Sequence, residues 1–148
     1  MSSDWLAHAL VAVTTVVAVA ACVLGQYEGL LMISRRFARH TSRDRRKVLT
    51  GIFCVLGIHV AQIWLFGLAV WLLMLWPASG TLSGGDTLQL LDAIYFSAVT
   101  FTTVGFGDLT PVGPIRFVAG TEALTGFVLI TWSASFTFIE MQRFWNER

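Results

Sequence analysis

Three stretches of this chain carry almost nothing but apolar side chains over a membrane's width. Residues 5–24 are interrupted only by His8, Thr14 and Thr15. Residues 48–76 run apolar between Lys47 and Pro77, and residues 115–139 run from just after Pro114 to just before Glu140. A hydrocarbon core about 30 Å thick is crossed by roughly 20 apolar residues of helix, so each stretch predicts a transmembrane helix. The second exceeds what a perpendicular crossing requires, and tilt or emergence into the interface absorbs the excess.

A fourth apolar stretch, residues 88–101, is too short to cross. Its length predicts a re-entrant or buried helix. Gly80, Gly84, Gly85 and Asp86 predict a turn before it, and Gly105-Phe106-Gly107-Asp108 ends it. Irregular backbone is therefore expected at membrane depth. There its N–H and C=O groups find partners only when buried in protein or facing an aqueous path, so the segment predicts a pore lining.

Composition and charge fill in this picture. The chain has 148 residues, 55% hydrophobic and 13% charged, with a mean hydropathy of +0.70, which excludes an ordinary soluble domain. Its net charge of +1 is unevenly placed: Arg35, Arg36, Arg39, Arg43, Arg45, Arg46 and Lys47 cluster between the first two spans. By the positive-inside rule that segment is cytoplasmic. The N-terminus is then outside, the re-entrant segment opens outward, and the C-terminus is cytoplasmic. The organisation expected is an N-terminal helix in residues 1–34, a basic loop in 35–47, and a pore domain in 48–148, with an outer helix at 48–76, a short helix at 88–101, irregular backbone at 102–108 and an inner helix at 115–139. Cys22 and Cys54 sit in apolar stretches with no metal-ligand spacing around them and read as small buried hydrophobes. Residues 19–22, Val-Ala-Ala-Cys, look like a lipoprotein cleavage site, but no basic residue precedes them, and cleavage would remove the helix that brings the basic segment inside.

Residues 102–108 read Thr-Thr-Val-Gly-Phe-Gly-Asp, with Asp92-Ala93-Ile94-Tyr95-Phe96-Ser97 upstream and Leu109-Thr110-Pro111 downstream. Over residues 48–143 the chain resembles prokaryotic potassium channels with one pore domain per subunit. The resemblance implies an all-α membrane fold: outer helix, pore helix, selectivity filter and inner helix, with the first span as an addition. It implies a filter of Thr103, Val104, Gly105, Phe106 and Gly107, in which K⁺ ions lie at the main-chain oxygens of Thr103, Val104, Gly105 and Phe106 and at the Thr103 hydroxyl. Filter carbonyls of this kind replace the hydration shell of the ion. Inward-pointing carbonyls on successive residues need backbone conformations that Gly105 and Gly107 accept readily. Val104 and Phe106 are expected to point away and pack behind. Thr102, Asp108 and Tyr95 are the implied filter supports, with the Tyr95 phenol reaching Asp108. Phe106 stands where a Tyr is frequent in the family and removes a hydroxyl from behind the filter. One filter strand per chain implies a homotetramer. Bound K⁺ is the only cofactor expected.

Weaker signals complete the reading. Arg36, Arg39, Arg43 and Arg46 approach the spacing of a voltage sensor, yet they are interleaved with polar residues and read as an anchoring segment that would also attract anionic lipid. His59 and Gln62 are expected to hydrogen-bond between helices, and Glu122 is a candidate modulator of gating. Aligning Arg116 with the basic residue that often opens the family's inner helix makes Gly126 the hinge. It also sets Ile130, Ala134 and Phe138 on one stripe along the conduction path, with Phe138 as a hydrophobic gate; helix packing is the competing reading for Gly126 and Phe138. The sequence leaves open what the first helix packs against, a clamp between neighbouring subunits being one role open to it. The function expected is a non-enzymatic, potassium-selective channel of the cell membrane that conducts passively, with a non-conducting partner subunit or a low-selectivity cation channel as the alternatives.

Overall fold

The computed structural model of the chain describes residues 2–39, 45–85 and 88–146. Four helices dominate: α1 (Ser2–Arg39), α2 (Arg45–Met74), α3 (Leu90–Phe101) and α4 (Arg116–Asn146). A 3-10 turn at Pro77–Ser79 follows α2. All three prolines, Pro77, Pro111 and Pro114, fall between helices, where the absent N–H costs no helical hydrogen bond. Stretches within α1, α2 and α4 (Trp5–Arg36, Val48–Met74 and Arg116–Gln142) are long and apolar enough to span a membrane, and α3 is not. The fold is that of an all-α membrane protein.

The basic segment differs from expectation. α1 continues to Arg39 and α2 begins at Arg45, so residues 35–39 and 45–47 are helical where a loop is expected. No Gly or Pro interrupts them, and Arg and Lys are good helix formers. At about 1.5 Å per residue, the 38 residues of α1 extend some 57 Å, well past a hydrocarbon core. Arg35 and Arg36 are exposed. Arg43 and Asp86 lie outside the described residues, as do the side chains of Arg39, Arg45, Arg46 and Lys47. The other helix bounds also shift: α3 starts at Leu90 and α4 runs on to Asn146.

A second difference is a small antiparallel ribbon beside the predicted turn and irregular backbone. β1 (Thr81–Ser83) pairs with β2 (Thr110–Val112) in the register Thr81 to Val112, Leu82 to Pro111 and Ser83 to Thr110. Three residues per strand are too few to leave a periodic signature. The ribbon flanks the segment that contains α3 and residues 102–108, and the Ile115 N–H donates to Ser79 O at 2.9 Å, pinning the start of α4 to the 3-10 turn.

The core gathers Phe66 and Val70 of α2, Phe96 and Phe101 of α3, and Val118 and Leu129 of α4, with Val11, Ala18 and Cys22 of α1 completing it. α1 packs against α2, α4 and the 3-10 turn. The chain's N-terminal end therefore lies on the same side as the ribbon. The junction of α1 and α2 and the C-terminal end of α4 lie on the other.

Candidate functional site

α3 begins with the Gln89 N–H donating to Asp92 Oδ2 at 2.7 Å, which satisfies one N-terminal donor and places a carboxylate in the first turn, where the helix dipole favours it. Its C-terminal end is tightly wound. Thr102 N–H donates to Ala98 O at 3.2 Å, Thr103 N–H to Thr100 O at 2.9 Å and Gly105 N–H to Val99 O at 3.0 Å. The Thr102 hydroxyl also donates to Ala98 O, at 2.7 Å. Thr102 is thus a cap that anchors the following segment to the helix.

Beyond the cap the backbone alternates. Thr102 has φ −80°, Thr103 has φ 60°, Gly105 φ 54° and Gly107 φ 81°, and no positive φ occurs at Val104 or Phe106. Glycine takes the left-handed conformation freely, whereas Thr103 bears a cost of about 1–2 kcal/mol. Reading the sequence for glycines identified two of these three positions. Thr103 was missed as a strained residue because nothing in its side chain announces a positive φ. A Cβ added to Gly105 or Gly107 would meet no atom of the subunit, so their glycines answer a conformational demand and not a crowding one.

Val104 and Phe106 were expected to pack behind this segment. Within the subunit they do not: Val104 is 55% and Phe106 71% exposed. Their own chain supplies no layer for them to pack against. At the far end of the segment from α3 the Tyr95 hydroxyl donates to Asp108 Oδ2 at 2.7 Å. That hydrogen bond holds the Asp108 carboxyl below its ordinary range and raises the Tyr95 phenol above its own.

Behind α3, Ser97 is fully buried and joins three helices. Its hydroxyl lies 2.8 Å from Ile63 O on α2 and also contacts Glu122 Oε1 on α4. Glu122 is fully buried, and its Oε2 has no hydrogen-bond partner within the subunit. Ser97 was not singled out from sequence, since a lone serine in an apolar helix is ordinary until its neighbour is a carboxylate. Gly126 faces α3: a Cβ there would collide with Phe101 O, and α4 runs through this position unbroken. Close approach, not a break, is what the structure displays at Gly126. Ile130, Ala134 and Phe138 are exposed along α4 and line a groove of about 390 Å³ between α2 and α4.

The family profile described as ion channel matches residues 48–143, the stretch that holds α2, α3, the alternating segment and most of α4. The chain belongs to the ion-channel family. Among curated relatives, protein LctB of Geobacillus stearothermophilus is 31% identical over 111 residues, covering 75% of this chain and 83% of that protein. Two pore potassium channel b of Oryza sativa subsp. japonica is 60% identical over 30 residues, covering 20% of this chain and 9% of that protein. Potassium channel K1 of Plasmodium berghei is 46% identical over 52 residues, covering 35% and 2% respectively. No solved structure matches the chain. With three helices fit to span, this ion channel is a multi-pass membrane protein, and it is not an enzyme.

Proposed function

We propose that the chain is one subunit of a potassium-selective channel of the cell membrane, assembled as a homotetramer and conducting K⁺ passively. The observation that carries this reading is the alternating sign of φ from Thr102 to Gly107, at the C-terminal end of a helix half a membrane long. Alternation of this kind turns successive carbonyls toward one side, as a carbonyl ladder for a dehydrated cation requires. Thr103, Val104, Gly105 and Phe106 supply the oxygens, Gly107 completes the turn of the ladder, and the Thr103 hydroxyl closes its inner end. The relatives named as potassium channels in rice and Plasmodium support the choice of ion.

A C-terminal helix end carries about half a negative charge, so α3 aimed at the inner end of the filter favours a cation there. Four copies add their fields. The exposure of Val104 and Phe106 supports assembly, because a filter whose flanking side chains find no cover in their own subunit gains it from neighbours. Thr102 and the Tyr95–Asp108 hydrogen bond hold the two ends of the ladder. Ile130, Ala134 and Phe138 line the inner conduction path, with Phe138 as a hydrophobic gate that closes by dewetting. Glu122 supports the filter from behind through Ser97 and modulates gating. The basic residues Arg35 to Lys47 face the cytoplasm and attract anionic lipid, and the N-terminus lies outside.

The test is the reversal potential of purified protein in planar bilayers with potassium on one side and sodium on the other. A value near the potassium equilibrium potential, abolished by Gly105→Ala, is expected. A value near zero overturns the selectivity, and an absence of current under every condition moves a non-conducting partner subunit to first place.

A further inference from the structure

α3 is wedged between two close backbone approaches. A Cβ on Gly67 of α2 would lie 2.7 Å from Ile94 Cα, and one on Gly126 of α4 would collide with Phe101 O. Between these two contacts in sequence stands Ser97, fully buried where α2 and α4 both press on α3. Its hydroxyl oxygen lies 2.8 Å from Ile63 O and in hydrogen-bond contact with Glu122 Oε1. Glu122 is itself fully buried, and its Oε2 has no partner. Because that oxygen has no accessible surface, neither bulk water nor lipid nor a neighbouring subunit reaches it. Whatever satisfies this carboxyl comes from its own subunit.

Hydrogens can be counted in this junction, and they do not suffice for an ionised carboxylate. The Ser97 hydroxyl owns one hydrogen. Ile63 O is a main-chain carbonyl and only accepts, and an ionised carboxylate only accepts too. With Glu122 ionised, one of the two contacts therefore holds no hydrogen. A hydrogen shared between both would still leave the charge with a fraction of one bond. With Glu122 protonated, each contact has a hydrogen of its own: Oε1–H donates to Ser97 Oγ, and the Ser97 hydroxyl donates to Ile63 O. Oε2 is then the carbonyl oxygen of a neutral acid, and an unpaired neutral acceptor costs far less in the interior than an unpaired charge.

The surrounding elements do not alter this count. On α2, one turn before Ile63, His59 has its ring nitrogens engaged with Gln62 Oε1 at 2.9 Å and Ser133 Oγ at 3.0 Å. Among the described residues of α1, the buried titratable side chain is the Cys22 thiol. On α3, Asp92 caps the N-terminus and Tyr95 is engaged with Asp108. Arg116, at the start of α4, is exposed.

We propose that Glu122 works as a carboxylic acid that donates its hydrogen to Ser97, and that this relay from α4 through α3 to α2 positions the residues that follow α3. Ser97 immediately precedes Ala98, Val99 and Thr100, whose carbonyls accept from the N–H groups of Thr102, Gly105 and Thr103 respectively. A donor at position 122 therefore fixes the turn to which the proposed filter is anchored. Glu122 is a positioning residue that acts through Ser97, and what it contributes is a hydrogen, not a charge.

Two measurements on the full chain test this inference, and only the second rests on the channel reading. The infrared spectrum of the protein in lipid bilayers at neutral pH is expected to contain a carboxylic-acid C=O stretch that is missing from Glu122→Gln. Spectra that differ only in carboxylate bands overturn the proposal, even if the protein carries no current. In planar bilayers Glu122→Gln, whose amide supplies a hydrogen at the same place, is expected to keep the open probability and reversal potential of wild type. Glu122→Leu fills the space without a donor and leaves Ser97 with Ile63 alone. Its open probability is expected to change about fivefold or more, as the loss of one buried hydrogen bond allows. A Gln variant that fails as the Leu variant does shows that the charge is what matters and overturns the proposal. A Leu variant that conducts as wild type overturns the positioning role.

Discussion

At the scale of single residues, the informative positions are those where one atom more or less changes what the backbone can do. Gly126 is one. Its hydrogen allows α4 to lie against the carbonyl of Phe101, at the C-terminal end of α3, and any Cβ would collide with that oxygen. Gly126→Ala is therefore expected to destabilise the subunit by about 1–3 kcal/mol, as overpacking does, by displacing the end of α3. Thermal denaturation of the assembled protein checks the loss, and a midpoint equal to wild type contradicts the close packing. The hinge expectation for Gly126 came from aligning Arg116 with the family's inner helix, and the close neighbour on α3 is what sequence could not supply. Thr103 is the converse case: its positive φ depends on the carbonyl direction demanded of the segment, which no property of threonine signals. Tyr95 and Asp108 were legible together only through family resemblance, since thirteen residues and an entire turn separate the two ends of their hydrogen bond.

At the scale of elements, α3 is held between α2 and α4 by Ser97. One hydroxyl serves the Ile63 carbonyl and the Glu122 carboxyl, both in the interior. Ser97→Ala leaves the carboxyl, whose Oε2 already has no partner in the subunit, without its remaining contact. A buried polar group so stranded costs about 1–3 kcal/mol. The expected result is a lower melting midpoint for Ser97→Ala that is partly restored in Ser97→Ala with Glu122→Leu, where nothing polar remains to be satisfied. A double variant no more stable than the single one argues that Ser97 acts alone. The long helices could be read from sequence because a crossing requires roughly 20 apolar residues, a run that the half-wetted helix of a soluble domain has no use for. The β1–β2 ribbon could not, because an alternation only three residues long per strand is indistinguishable from chance. The basic segment failed differently: charge places it at an aqueous boundary but does not decide between helix and loop.

At the scale of the molecule, α1 is the part that a pore domain does not require, and its role follows from where its buried face goes. Val11, Ala18 and Cys22 pack into the core shared by α2, α3 and α4, while Leu30 and Ile33 pack against Val55. Gln26 adds the hydrogen bonds to Gln62 and Ser133. These contacts tie α1 to the other helices of its own subunit. Removing residues 1–34 uncovers apolar surface that lipid can cover at little cost, since lipid tails are as apolar as the side chains they replace. Lipid cannot replace Gln26, and Gln62 and Ser133 would each lose a partner, at about 1–3 kcal/mol for a buried group left unpaired. If the proposed homotetramer is held by residues 102–108 and α4, which truncation leaves intact, the truncated protein remains a tetramer in mild detergent but melts at a lower temperature. Gln26→Leu alone should reproduce most of that loss, since it removes the hydrogen bonds and keeps the apolar face. Light scattering that finds monomers after truncation would instead place α1 between subunits, and an unchanged melting temperature in Gln26→Leu would show that apolar contact, not the Gln26 hydrogen bonds, is what holds α1 to the other helices.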